Sequence, residues 1–108
     1  LIYEKKHGRL PIEMPPQNAG YDIEAKDFHG NLLRYIEVKT VSESWDNAGV
    51  GLTKAQFDRA CSEGELYWLY VVEWAGEEAF KIYPVNDPAN RVNRFFYDKG
   101  WKELAEND

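Results

Sequence analysis

The fold of this chain is decided by the stretch Tyr35-Ile36-Glu37-Val38-Lys39. β-Branched and aromatic residues alternate with charged ones here, which predicts a β-strand with one apolar and one polar face. Side chains on a strand alternate between its two faces, so Glu37 and Lys39 share one face and Ile36 and Val38 share the other. The strand therefore presents an acid and a base on the same surface.

An earlier segment of the chain brings a second acid to this surface. The stretch DFHGN around His29 and Gly30 is a turn signal, and a two-residue hairpin loop at those two positions pairs Asp22 directly with Glu37. Sliding the loop by one residue pairs Asp22 with Lys39 instead, still on the same face. Two carboxylates that face each other repel by about 1–4 kcal/mol. A cation or a shared proton relieves that repulsion, so the sequence predicts a site for one or the other.

Length and composition predict one globular domain. The chain has 108 residues, of which 44% are hydrophobic and 30% are charged, and this size suits a single core. Nothing resembles a membrane span or a signal peptide, so we expect no membrane partner. The single cysteine, Cys61, fits a reducing, cytoplasmic compartment and is expected to be buried as a small hydrophobe. The chain begins at Leu1, apparently inside a helix, so we expect residues 1–108 to be one domain of a larger protein.

The net charge of −6 argues against tight, independent binding to DNA. Proteins that bind nucleic acids are usually basic. A nuclease module remains compatible with this charge, because a metal site requires acidic residues and neighbouring domains can supply affinity for the substrate.

The order of the predicted elements indicates an α/β or α+β fold on a mixed β-sheet. Thr53 and Gln56 form a capping box that opens a helix. The nearly continuous apolar segment that follows predicts a strand buried on both faces, and Pro84 is expected to end the next strand. In chain order we expect a helix tail at 1–7, strands at 9–14, 21–25 and 32–39, a helix from 52 to about 63, strands at 66–74 and 79–83, a turn or short helix at 86–90, a segment of helix or strand at 91–97 and a short helix at 101–105.

These residues carry a resemblance to a known family. Asp22, the Glu37–Lys39 strand and a helix bearing Gln56 resemble the PD-(D/E)XK nuclease superfamily, which has the restriction-endonuclease-like fold. Four segments more specifically resemble the domain named after the C-terminus of the plant protein NO VEIN, and the resemblance spans roughly Leu1 to Pro88. The segments are Gly20–Ile23 (GYDI), Arg34–Thr40 (RYIEVKT), Leu52–Thr53 (LT) and Tyr67–Val72 (YWLYVV).

The resemblance implies roles for particular residues. Asp22, Glu37 and the backbone carbonyl of Val38 are expected to hold Mg²⁺ or Mn²⁺. Lys39 is expected to orient the attacking water or to stabilise the charge of the transition state. Gln56 is expected to contact the substrate backbone or the water, with the capping box as its alternative role. The superfamily often has a proline next to its first acid, and this chain does not.

One further metal ligand is also implied. Glu4, on the first helix, matches the position where relatives carry an additional acid, and Glu24 is its rival because it shares a face with Asp22. A solvent-exposed helix residue is the alternative for Glu4, and an ordinary ion pair is the alternative for Glu37 and Lys39.

The expected function is metal-dependent hydrolysis of phosphodiester bonds in DNA. The resemblance implies a module of a restriction, phage-defence, helicase or ATPase protein, with the other domains of that protein as partners. The alternative is a non-catalytic module on the same fold that senses nucleic acid or docks another protein.

Overall fold

A computed structural model describes residues 1–45 and 49–92, together with Lys102 and Leu104. This part of the chain forms a five-stranded mixed β-sheet with a helix on each face, which is an α+β fold. The elements are α1 (Ile2–Lys6), β1 (Leu10–Glu13), β2 (Ile23–Lys26), β3 (Leu32–Thr40), α2 (Lys54–Glu63), β4 (Tyr67–Glu73) and β5 (Lys81–Asn86), with single 3-10 turns at Gly64–Leu66 and Pro88–Asn90.

The strands lie in the order β1-β2-β3-β4-β5, with β3 in the middle of the sheet. Only the β3–β4 pair is parallel, and the other three pairs are antiparallel. A parallel pair requires a crossover connection, and α2 provides it. The predicted mixed sheet is confirmed, as is the buried interior strand, because β4 lies between two neighbours and most of its residues are buried.

The β2–β3 hairpin has the predicted register but a different loop. The loop comprises five residues, 27–31, rather than two: the Asp27 N–H donates to the carbonyl of Asn31 at 2.9 Å, and Gly30 adopts a φ of 84°. A β-bulge between the two strands then shifts the pairing by one residue, since Ala25 faces Arg34 while Lys26 faces Leu32. The bulge compensates for the longer loop.

This shift decides which residue faces Asp22. Ile23 pairs with Ile36, and the Asp22 N–H continues the ladder by donating to the carbonyl of Ile36 at 2.8 Å. Continuing the same register, Asp22 lies opposite Glu37 and not opposite Lys39.

Each face of the sheet has its own apolar core. The core under α2 contains Tyr21, Ala60 and Tyr67. The core under α1 contains Ala25, Ile36 and Tyr70, with Tyr3 of α1 packed against them. From Arg34 onward, residues of β3 with odd numbers therefore face α2 and those with even numbers face α1, whereas the bulge interrupts this alternation at Leu32 and Leu33.

Two sequence predictions about single residues are wrong. Pro84 does not end a strand: it lies inside β5, opposite Tyr70. An edge strand tolerates proline because the missing N–H would face solvent. Cys61 is exposed, because it lies on the side of α2 away from the sheet. Its neighbour Ala60 is the residue of α2 that packs against the sheet.

Other boundaries agree with the prediction. The capping box of Thr53 and Gln56 opens α2, and Gly64 ends it. Pro11 lies in the edge strand β1, as its missing donor requires. The predicted segments at 91–97 and 101–105 lie almost wholly outside the described residues.

Within the described part of the chain, neither α-helix has the length and apolar character that crossing a membrane would require.

Gly20 sets how closely α2 approaches the sheet. Its φ is 92°, and a Cβ at this position would lie 2.7 Å from Cβ of Arg59. Gly76 has nearly the same φ, 90°, but a Cβ there would meet nothing within 4 Å. Both positions therefore favour glycine for conformational reasons, and only Gly20 also does so for steric reasons.

We predict that Gly20→Ala destabilises the fold more than Gly76→Ala. Both changes place alanine at an unfavourable φ, at a cost of about 1–2 kcal/mol. Gly20→Ala should cost a further 1–3 kcal/mol or so, because the backbone of α2 has to move away. Urea unfolding of the two variants measures the difference, and equal losses of stability would contradict the close approach of α2.

Candidate functional site: an acid pair beside a lysine

Asp22, Glu37 and Lys39 lie together on the α2 face of the sheet, as the sequence predicted. Asp22 immediately precedes β2, and its Oδ2 accepts a hydrogen bond from the N–H of Val38 at 2.8 Å. Glu37 lies in the middle of β3 and is only 4% exposed. Nζ of Lys39 is 3.6 Å from Oε2 of Glu37. The site therefore consists of two carboxylates and one ammonium group on neighbouring strands.

The backbone of Val38 contributes to the same edge. The N–H and C=O of one residue in an extended strand point to the same side. Since the N–H of Val38 points to Asp22, its carbonyl points to that side as well. The carbonyl of Val38 therefore lies on the same side of β3 as Asp22, at the start of β2.

The environment of Glu37 favours its protonated form. Burial is the main cause, and the negative charge of Asp22 adds to it, while Lys39 acts in the opposite direction. Together these raise the pKa of Glu37 to about 7. A proton on Glu37 therefore relieves the repulsion between the two acids near neutral pH.

Tyr67 lies beneath this site. It is fully buried, and its hydroxyl donates to the carbonyl of Gly20 at 2.6 Å. Burial and the nearby charges of Glu37 and Asp22 raise the pKa of the Tyr67 hydroxyl, so it remains protonated. Tyr67 thereby fixes the chain two residues before Asp22.

The side chain of Gln56 is engaged in the helix cap. Its Oε1 accepts from the backbone N–H of Thr53 at 2.8 Å. The backbone N–H of Gln56 in turn donates to Oγ1 of Thr53 at 3.2 Å. The alternative role given by the capping box is therefore realised, and the structure does not bring the Gln56 amide oxygen to the acid pair.

Glu4 is on the other face of the sheet. It is 1% exposed, and its carboxylate binds Nε and Nη2 of Arg9 at 2.7 and 3.2 Å and the hydroxyl of Tyr70 at 2.9 Å. Tyr70 belongs to the α1 core, so the sheet separates Glu4 from Asp22 and Glu37. Glu4 is thus neither a solvated residue nor a neighbour of the acid pair.

Glu24, the rival of Glu4, shares the α2 face with Asp22 but has its own partners. The Tyr21 hydroxyl donates to its carboxylate at 2.7 Å, and Nζ of Lys26 lies 3.8 Å away. Trp45, an aromatic residue in the loop after β3, also has its own contacts: its backbone N–H donates to the Glu73 carboxylate at 2.9 Å, and its ring lies 6.0 Å from that of Tyr83.

Sequence reasoning missed Arg59 of α2. Its guanidinium carbon lies 5.0 Å from the ring centres of both Tyr21 and Tyr35, and its buried Nε has no hydrogen-bond partner in the described part of the chain. Its charge also acts on Tyr67, as do the charges of the acid pair. Helical spacing was the signal that could have identified Arg59. It follows Gln56 by three positions and so lies on the same side of the helix.

The donor atoms of the site suit a hard divalent cation. Mg²⁺ prefers oxygen ligands, and it is often bound by one or two carboxylates, with waters and substrate phosphates completing the shell. Asp22, Glu37 and the carbonyl of Val38 match that requirement. Among the described residues, no group of three or more His, Cys, Asp or Glu side chains is arranged to hold a metal ion, so this is a site of few protein ligands.

We predict that Glu37→Gln stabilises the metal-free protein at pH 8 by about 2 kcal/mol and has much less effect at pH 5. The pKa of Glu37 is higher in the folded protein, about 7, than its ordinary value of 4.5. The free energy of unfolding therefore falls as the pH rises between these two values. The neutral amide avoids that loss. Urea unfolding at several pH values measures it.

Glu77→Gln is the control for this prediction, because Glu77 is exposed and its replacement should show no such pH dependence. A Glu37→Gln variant that is less stable than the unmodified protein at pH 8 would contradict the description of the pair.

Comparison with known proteins adds a family to this geometry. The family described as "Protein NO VEIN, C-terminal" matches residues 1–85, a region that contains the acid pair, Lys39 and all of α2. No curated protein matches the chain, and no solved structure does. The family match covers most of the 108 residues, and the resemblance carried by the four sequence segments is confirmed. This chain belongs to the NO VEIN C-terminal domain family.

Proposed function

We propose that this domain is a metal-dependent nuclease of the PD-(D/E)XK type, with the restriction-endonuclease-like fold, that hydrolyses phosphodiester bonds of DNA. The observation that carries the proposal is the arrangement of Asp22, Glu37 and Lys39 on one face of two neighbouring strands, with Lys39 3.6 Å from Glu37. Glu37 is buried and lies opposite the exposed Asp22, and a buried carboxyl group beside a second acid lowers the stability of the fold. A catalytic metal ion bound by both acids would offset this cost and account for their placement.

The chain's own residues have distinct roles in this proposal. Asp22 and Glu37 hold the cation, and the carbonyl of Val38 is directed to the same place. Mg²⁺, when bound, supplies the charge that polarises the phosphodiester and acidifies the attacking water. Lys39 stabilises the negative charge that develops on the phosphoryl oxygens.

Substrate contacts come from α2 and from the rest of the protein. Arg59 makes no ion pair within the described residues, and its charge lies on the α2 face with the acid pair, so its guanidinium is available to a phosphate of the DNA backbone. The overall charge of −6 means that most of the affinity has to come from other domains of a larger restriction, phage-defence, helicase or ATPase protein.

A second function is favoured by two observations. The described residues offer only two acidic side chains at the site, and the oxygen of Gln56 is occupied by the helix cap. On this alternative the domain is a non-catalytic module that senses nucleic acid or docks another domain, and the acid pair is a structural pair that shares a proton.

We predict that Mn²⁺ raises the melting temperature of the domain through Asp22. An ion that binds only the folded state at ten times its dissociation constant stabilises by about 1.4 kcal/mol, which corresponds to a shift of roughly 5 °C at this size. Asp22→Asn should abolish the shift, because an asparagine keeps the acceptor for the Val38 N–H but loses the charge.

Asp58→Asn is the matched control, since Asp58 is an exposed acid of α2 that pairs with Lys54 and its removal should leave the shift unchanged. A shift that survives Asp22→Asn, or the absence of any shift, counts against the metal site.

We predict that the full-length protein cleaves DNA in the presence of Mg²⁺ or Mn²⁺, and that Lys39→Gln lowers the rate about 10²–10³-fold. The variant should still bind Mn²⁺, because Asp22 and Glu37 remain. A gel assay on plasmid and single-stranded DNA measures cleavage, with Lys54→Gln as the control for loss of one positive charge from an exposed site.

The two measurements separate the two functions. Metal binding without cleavage of any nucleic acid by the full-length protein supports the non-catalytic module. Cleavage that is unaffected by Lys39→Gln contradicts the assignment of Lys39.

A further inference from the structure

A cleft on the α1 face of the sheet has the properties of a second site. It is open to solvent, has a volume of about 530 Å³, and lies where β3 and β4 begin. The residues that matter for its chemistry are His7, Arg9, Leu33, Arg34, Glu65 and Trp68. The acid pair lies on the α2 face, so the sheet separates the two sites.

Arg34 is the central residue of this cleft. Its guanidinium carbon lies 3.6 Å from the ring centre of Trp68, and its Nη1 donates to the hydroxyl of Tyr70 at 2.6 Å. Among the described residues it has no carboxylate within ion-pair distance. The stack on Trp68 and the bond to Tyr70 hold this cation in one orientation at the wall of the cleft.

The hydrogen bonds behind Arg34 lead to a single buried carboxylate, that of Glu4. The buried carboxylate of Glu4 accepts two bonds from Arg9 and one from the Tyr70 hydroxyl. Arg34 donates to that same hydroxyl. Two guanidinium groups therefore share one carboxylate, and both of them line the cleft.

We propose that this cleft binds a phosphate ester of about mononucleotide size. A guanidinium group matches the oxygens of a phosphate in geometry and charge, and Arg34 is already oriented for it. Trp68 and Leu33 add apolar surface for a planar base, and the volume is within the range of small-molecule sites. Glu65 on the lining opposes a higher negative charge, so a monophosphate suits the cleft better than a triphosphate.

Such a phosphate ester has two sources, a free nucleotide or the end of a nucleic-acid strand. Titration calorimetry with AMP, with adenosine, and with oligonucleotides that carry a 5′-phosphate or a 5′-hydroxyl distinguishes them. The first pair is AMP and adenosine, and the second is the two oligonucleotides. We expect the ligand that carries the phosphate to bind at least about tenfold more tightly than its partner in either pair. Improvement only in the oligonucleotide pair identifies a strand end as the ligand, and improvement in neither pair overturns the proposal.

Matched variants at Leu33 test the location. Leu33 lies at the bulge and is 37% exposed, so Leu33→Gln and Leu33→Glu should both fold. The glutamate places a negative charge in the cleft and should weaken phosphate binding about tenfold relative to the glutamine. Arg34→Gln should weaken it by a similar factor, whereas Lys54→Gln on the distant helix α2 should not. Equal binding by the two Leu33 variants overturns the assignment of this cleft.

This second site does not depend on nuclease activity. Asp22→Asn should leave AMP binding unchanged, because Asp22 is on the opposite face, so failure of one proposal leaves the other standing.

Discussion

The structure depends on the placement of two carboxylates on neighbouring strands. The ladder between β2 and β3 continues to Asp22, whose N–H bonds to the carbonyl of Ile36 and whose carboxylate takes the N–H of Val38. That bond ties the start of β2 to β3 and leaves Asp22 opposite the buried Glu37. The backbone thus brings together two groups that repel each other, with Lys39 as their close cation.

The two faces of the sheet hold different groups of charged side chains. On the α2 face, two carboxylates have Lys39 as their close cation. On the α1 face, one carboxylate, that of Glu4, is shared by Arg9 and Arg34 through direct bonds and through Tyr70. We propose that the first arrangement binds a further cation and that the second binds an anion. A single strand, β3, supplies residues to both, because its side chains alternate between the faces.

The sequence predicted the β3 strand, the face shared by Glu37 and Lys39, and the start of α2, because each depends on local periodicity or on a capping box. The pairing of Asp22 with Glu37 was one of two predicted registers, although the loop that led to it was not the one observed. The loop is three residues longer than expected, and a bulge near Ala25 restores the register. Periodicity did not reveal the bulge, because the extra residue lies at the start of β3, where Leu32 and Leu33 are both apolar, before the alternating stretch that begins at Tyr35.

Other features were out of reach because they depend on contacts between distant segments. Glu4 was a candidate ligand because of its position on the first helix, but its partner Tyr70 is 66 residues away. The same holds for Arg34 and Trp68, whose stack forms only when β3 and β4 pair. Cys61 was expected to be buried from its residue type, and the rotation of α2 turns it to solvent.

The most direct test of the central claim is paramagnetic broadening of backbone amide signals by substoichiometric Mn²⁺, since the effect falls off steeply with distance from the ion. We predict that the amides of residues 20–23 and 37–39 broaden first, and that those of α1 and of the exposed acids Glu77 and Glu78 broaden only at higher concentration. Broadening that begins at Glu77 and Glu78, or that spreads evenly over the acidic surface, would contradict a cation site at Asp22 and Glu37.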